Sequence, residues 1–283
     1  MGNFSGALYR DRAAYHRETL LPKLTEYRDI AGFLHKQPGP VRVNTEAIGP
    51  FNFGDWEGID TLAGFGAGVT SNFLVLNWPS VRTQNLLGVS YTLTKEGPRA
   101  DQQLVFHGAS GINVLKNAGA FPRTWIVHEI VQASSPKDAR ILVDGSAFDA
   151  HNTGILLEPG PVVQHCGGAE TSEISYRTAN SVVIDAHLNC SGMLVLSDVW
   201  YPGWVATLDG KQTDIYQPYG ALRGVVLDKG QHHVKFDYRP MSARVGALMT
   251  VFGVLGACTV ACWDHYRRSR PSLRKKTVQS TRM

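Results

Sequence analysis

The stretch DVWYPGWVATLDG, residues 198–210, gathers the side chains best suited to bind something. Trp200, Tyr201 and Trp204 surround a Pro-Gly step, with Asp198 before them and the turn signal Asp209-Gly210 after them. Aromatic faces beside a turn can stack on a sugar ring, and they can equally plug the corner of a sheet. If GWVATLDG is a strand, Trp204, Ala206 and Leu208 share one face, which places Trp204 in a core. Tyr201 and Trp200 are then the residues left to face a glycan. Arg223, in a later apolar segment, is placed to reach Asp198 or an aromatic face as a clamp. Asp55, Glu57 and Asp60 are acids in a Gly-rich loop, and they read as ligands for a cation or sugar hydroxyls or as a solvated surface. Cys166 and Cys190 pair if the body lies in an oxidising compartment, or remain buried thiols.

No catalytic set emerges. GxSxG, a Walker loop and HExxH are missing, and no CxxC or His/Cys run has zinc spacing. GFGAG (64–68) does not sit between a clear strand and a helix, so it is not read as a nucleotide loop. His232 and His233 should face opposite sides of a strand, which argues against a shared metal. The expectation is a chain with no catalytic residue, no metal and no cofactor of its own.

The elements that must position these residues are legible from pattern. A helical leader is expected over 1–37, stopped by QPGP. Residues 38–160 mix short helices and strands around a Gly-rich loop, GPFNFGDWEGIDTLAGFGAGVTSN. PKDARILVDG reads as a helix with Ser135 as its N-cap. From 161 to 240 the signal is closely spaced strands: SEISYRTA, SVVIDAHL, GMLVLSD, GWVATLDG, DIYQPYG, ALRGVVLD and HHVKFDY. Such spacing predicts an antiparallel β-sandwich, jelly-roll-like, so the fold class is α+β.

Residues 245–263, VGALMTVFGVLGACTVACW, carry no charge. At ~1.5 Å per residue they span roughly 28 Å, close to a bilayer's hydrocarbon core. A transmembrane helix is therefore expected over 243–263. Gly246, Gly253 and Ala257 form a small-residue face that suits packing against other helices. Cys258 and Cys262, one turn apart in this run, read as small packing residues. Beyond Trp263 the tail holds seven basic residues and one acid, so it carries +6 and residues 1–263 carry −2 of the total of +4. This charge belongs to a cytoplasmic tail at 264–283, by the positive-inside rule, and not to a nucleic-acid surface. The body is then extracytoplasmic, yet residues 1–24 show no apolar export signal. The expectation is a C-terminal piece of a larger multi-spanning protein, with a stand-alone anchored product as the alternative.

The order LSDVWYPGWVATLDGK, ALRGVVLDKGQHHVKFDYRP and then a spanning helix resembles the end of YfhO-type bacterial membrane proteins. Upstream, NLLGVSYTL, INVLKNAGAFPRTWIV and DARILVDGSAFD continue that pattern. Such proteins are similar to membrane glycosyltransferases of the GT-C type. The resemblance implies a polyprenyl-phosphate sugar donor on the outer face of the bacterial cytoplasmic membrane. It also implies partners in membrane lipid, other transmembrane helices of the parent protein, and a cell-envelope glycan. The catalytic loop of that family lies upstream of anything in this chain, so no catalytic residue is carried over. The alternative is a membrane-anchored carbohydrate-binding or structural module.

Overall fold

The computed structural model describes residues 22, 25–46, 53–62 and 71–269. Most of the expected leader, the GFGAG segment and the tail beyond Ser269 lie outside the described residues. The chain divides into two compact units, 1–237 and 238–283.

The first unit opens on helix α1 (Arg28–Leu34), which buries Ile30, Ala31 and Leu34. These residues join Val43, Phe53, Tyr91, Leu93 and Val114 in one apolar cluster. The sheet beneath has the order β2-β1-β3-β5-β4, from strands Asp60–Thr61 (β2), Arg42–Asn44 (β1), Tyr91–Thr94 (β3), Asn113–Asn117 (β5) and Gln102–His107 (β4). β1 runs parallel to both β2 and β3, and the other pairs are antiparallel. Residues 53–62 of the Gly-rich segment, where composition predicts a long ordered loop, hold regular structure instead. Phe53–Glu57 forms a helix, α2, and the strand β2 follows. Burial of Phe53 anchors that turn of helix, an apolar signal that the surrounding glycines obscure.

Helices α3 (Val81–Leu86) and α4 (Pro136–Asp144) are capped by Ser80 and Ser135, whose side chains accept from the N–H of Thr83 and Asp138. A serine oxygen takes up an otherwise orphaned backbone donor at the first turn. Strands β6 (Thr124–Val127), β7 (Glu129–Gln132) and β8 (Thr153–Leu156) follow, with β7 and β8 paired in parallel.

After residue 161 the described strand pairs are antiparallel, as the spacing predicts. β10 (Ser181–Leu188) sits between β9 (Thr171–Arg177) and β15 (Gly230–Tyr238). The sheet continues through β12 (Trp204–Leu208) to β13 (Lys211–Thr213). Val182, Ile184, Ala186 and Leu188 are buried while Asp185 and His187 are exposed, which is burial of one face. Asp209 (φ 51) and Gly210 (φ 82) close the hairpin from β12 to β13. Positive φ at both central residues gives a turn whose twist matches the strands, so Asp-Gly is the expected pair there.

A third sheet, order β14-β11-β6, joins β14 (Leu222–Leu227) and β11 (Gly192–Val199) to β6. A sandwich closed within 161–240 is therefore too narrow a description, because residues 124–127 supply one of its strands. Every residue from Gly192 to Ser197 is buried, so both faces of β11 are covered. Met193 and Val195 belong to a cluster with Leu87, Trp125, Val127 and Ile155. Leu194 and Leu196 point the other way and are equally buried. DIYQPYG, expected as a strand, contributes only an isolated bridge at Tyr216 and a 3-10 turn, Pro218–Gly220. The proline removes a ladder donor, and Tyr219 adopts φ 57.

The second unit is dominated by α5 (Met241–Ser269), a single helix of 29 residues. Residues 241–268 are long and apolar enough to cross a membrane, and none of that apolar stretch is buried.

Candidate functional site

Side chains from distant elements converge on one carboxylate, Asp198, the first residue of the opening stretch. Asp198 sits near the end of β11, within the register shift between Leu196 and Val199. That irregularity lets an acidic side chain leave a mostly apolar strand. Its Oδ1 accepts from Arg42 Nη2 at 2.7 Å and Arg123 Nη2 at 2.5 Å, and its Oδ2 accepts from Arg223 Nη2 at 3.0 Å. Arg123 also donates to Asp60 Oδ2 at 2.8 Å, and Arg177 pairs with the same oxygen at 2.6 Å. Arg42 comes from β1, Asp60 from β2, Arg177 from the end of β9, and Arg223 from β14. Arg123 directly precedes β6. The cluster therefore takes side chains from three sheets.

Backbone carbonyls complete the ring. Arg42 Nη1 donates to the carbonyls of Leu87 (2.5 Å) and Ser197 (2.7 Å). Arg123 Nε donates to Ser197 Oγ at 2.9 Å. The side chains of Asp198, Arg42, Arg123 and Arg223 are 12, 11, 4 and 3% exposed. Burying an unpaired charge at such a position would be prohibitive, so Asp198, Arg42 and Arg123 each have several polar partners. Arg223 has one hydrogen bond, to Asp198, and leaves its buried Nε and Nη1 without a hydrogen-bond partner among the described residues.

The electrostatics follow from that burial. Desolvation works against an ionised Asp198, but the guanidinium charges of Arg123, Arg42, Arg223 and Arg177 outweigh it and hold the carboxyl well below the usual range. Asp60 is likewise opposed by burial, and hydrogen bonds from Arg123 and Arg177 bring it below the usual range. Burial lowers Arg42 and Arg223 to about 10, against the attraction of Asp198, so both stay charged at neutral pH. Four arginines face two aspartates, a formal excess of two positive charges.

Arg223 reaches both clamp partners named from sequence. It pairs with Asp198 and lays its guanidinium 3.9 Å from the Trp204 ring centroid, with Phe236 on the same cation at 5.4 Å. Trp204 is buried, and Tyr201 packs edge-on against it at 6.0 Å. Trp200 and Tyr201 are half-buried. The backbone of Trp200 is fixed on both sides: its N–H donates to Ala221 O at 2.7 Å, and its carbonyl accepts from Asn72 Nδ2. Gly203 takes φ 109, a left-handed conformation that a side chain would strain, so Pro202-Gly203 is a bend that swings Trp204 inward.

The three loop acids separate. Asp60 enters the arginine cluster, Asp55 is exposed on α2, and Glu57 is only partly exposed at its end. Cys166 and Cys190 form a disulfide. Gly246, Gly253 and Ala257 lie along α5 with open space at both glycines. Sequence reasoning missed Arg42, Arg123 and Arg177 altogether. For Arg42 the available signal was an arginine embedded in an apolar strand pattern, VRVN.

A second polar feature lies on the outer face of the β13-β12-β15-β10-β9 sheet. A groove of about 630 Å³ is lined by Glu173, Asp185, His187, Asp209, His232 and His233, among others. His233 Nδ1 stands 2.7 Å from Asp185 Oδ1, and His232 Nδ1 stands 2.8 Å from Asp209 Oδ2. The two imidazoles line one groove but bond separate carboxylates, so they do not converge on a common point.

Chemically, the Asp198 cluster is poorly suited to turnover. A carboxylate held far below neutral pH by three direct guanidinium donors is a weak base, and its burial keeps substrates away. It is well suited to locking strands from different sheets in register. Comparisons with protein-family models, with curated proteins and with solved structures find no match to this chain.

Proposed function

We propose that this chain is the extracytoplasmic domain and last membrane helix of a polytopic, GT-C glycosyltransferase-like membrane protein. In this reading it shapes the outer side of the active site and supplies no catalytic residue. The observation that carries the reading is α5, an apolar helix with none of its span buried, in the same chain as a disulfide-bonded body. The motif series from YPGW to the spanning helix supports the family, and disulfides belong to oxidising compartments. Within the span, Thr250 and Thr259 return their hydroxyls to the carbonyls four residues back, at 2.9 and 2.7 Å. Such internal bonds suit a helix in lipid, where no water satisfies a polar group. The basic tail favours the cytoplasmic side. The polyprenyl-phosphate sugar donor belongs to the parent protein in this proposal.

Topology tests the reading. Protease added to intact spheroplasts should digest the body and spare an epitope after residue 283. A protected body with a digested tail epitope would reverse the orientation and end the proposal.

The groove over the outer sheet favours a second reading, a membrane-anchored carbohydrate-binding module. Its carboxylates and imidazoles offer donors and acceptors for sugar hydroxyls. Envelope-glycan binding lost on Asp185→Ala and retained on Tyr201→Ala would place recognition in the groove. The reverse result would place it at the aromatic corner.

A further inference from the structure

His128, Cys166, Cys190 and Glu170 are dispersed in sequence and meet at one end of β6. The ligating atoms of His128, Cys166 and Cys190 all lie within 4.8 Å of one another. His128 Nδ1 is 3.8 Å from Cys190 Sγ. A tetrahedral zinc with Zn–S near ~2.3 Å and Zn–N near ~2.0 Å sets nitrogen and sulfur donors about 3.6 Å apart, so this pair is already at ligand spacing. The other imidazole nitrogen, Nε2, is held at 2.7 Å by Glu170 Oε2. Glu170 is itself fixed, because its Oε1 accepts from the Asn189 N–H at 2.8 Å. A carboxylate on the far nitrogen orients a histidine ligand and raises its basicity. The three potential ligands and their support are thus assembled, and what closes the site is the bond between the two sulfurs.

We propose that the Cys166–Cys190 disulfide masks a zinc-class metal site, which opens when that bond is reduced. A dithiol reductant supplies two electrons and two protons. The S–S bond breaks, Cys166 and Cys190 become thiols, and the reductant leaves as its own disulfide. One Zn²⁺ then displaces the two thiol protons and binds both sulfurs and His128 Nδ1, with water in the fourth position. Nδ1 gives up its contact with the Gln164 carbonyl, at 2.8 Å, and the proton it donates there passes to solvent, so that its lone pair takes the metal while Nε2–H stays bonded to Glu170. The sulfurs must separate to about 3.7 Å, the edge of a tetrahedral site. Cys166 can make that move, because it lies in the irregular, solvent-accessible segment between β8 and β9. Cys190 is buried and stays as the fixed partner. Metal and disulfide exclude each other, so the cluster reports the thiol balance around it. The inference stands apart from the membrane proposal, since it needs only the body's geometry.

The test uses the full chain in detergent micelles carrying Cys258→Ser and Cys262→Ser, which removes the other two thiols. Zinc retained after desalting is counted per chain, before and after dithiol treatment, and cobalt(II) serves as a spectroscopic substitute. The oxidised chain should hold none. The reduced chain should hold one, with a thiolate-to-cobalt charge-transfer band. His128→Ala and Cys190→Ser should each weaken binding on the order of 100-fold, and Glu170→Gln by about 10-fold. Near-ultraviolet circular dichroism of the reduced, zinc-loaded chain should match that of the oxidised chain. The proposal is overturned if the reduced chain retains no zinc, if His128→Ala binds as tightly as the parent, or if reduction unfolds the body and zinc does not restore it.

Discussion

In two parts of the body aspartates are paired with basic side chains, and the two sets differ in almost every respect except the carboxylate they share as a type. Around Asp198 three guanidiniums converge on one buried carboxylate, and two more contacts tie Arg123 and Arg177 to Asp60. On the outer sheet, Asp185 and Asp209 each bond a histidine in an open groove, and the His233–Asp185 pair is 57% exposed on both sides. Asp185 is lowered by Ser175 first and then by His233, and Asp209 by the His233 backbone and then by His232. The buried set cannot exchange partners without leaving a naked charge in a low-dielectric interior. The exposed set can exchange partners with water at little cost. Burial makes the first a joint, while the second remains a surface on which a ligand can act.

The sharpest way to break this comparison is Asp198→Ala. It leaves three guanidiniums facing one another with their shared anion gone, and the expected loss is roughly 3–5 kcal/mol in denaturant unfolding of the full chain. A loss below ~1 kcal/mol would mean that the cluster joins nothing. Trp204→Ala should cost about 3 kcal/mol, from the cavity it leaves and the lost face for Arg223. Its effect should not add fully to that of Asp198→Ala, since both act on Arg223.

Acid should expose the same difference. Asp198 and Asp60 have folded pKa values below their unfolded ones, so their stabilisation is present above pH ~4 and is lost as pH falls further. Unfolding followed from pH 7 downward should therefore steepen below that point, and Asp198→Ala should flatten the curve. Unchanged acid sensitivity in the variant would count against the assignment. At the small end, Asp185→Asn should shift stability by no more than ~0.5 kcal/mol, as exposed pairs do. A larger shift would make the groove a structural joint as well. In the second unit, Gly253→Leu should impair assembly with other membrane helices while leaving unfolding of the body unchanged.

Local pattern was enough for most strands. SVVIDAHL alternates from Ile184 onward, and β10 matches its limits residue for residue. Ser135 announces α4, and Asp209-Gly210 announces the hairpin after β12. Pattern fails where structure depends on a distant partner. β2 and β13 are short and polar, and they exist because β1 and β12 offer free edges. β6 joins β11 across the expected boundary at 160, a pairing that no local periodicity encodes. The same logic applies to the site. Asp198, Trp204 and Arg223 lie close enough in sequence to be read together. Arg42 and Arg177 come from other sheets and Arg123 from the distant start of β6, and only the fold brings them into the cluster around Asp198 and Asp60. His128 stays hidden beside the two cysteines for the same reason, because spacing rules find ligands only within one motif.

The central claim is that this β-rich body serves a larger polytopic membrane protein. The most direct test is the size of the native product, read by a C-terminal tag at the chromosomal locus and an immunoblot of the membrane fraction. The account predicts a membrane band well above 31.0 kDa. A membrane band at that mass would contradict it, and would leave a stand-alone anchored module in its place.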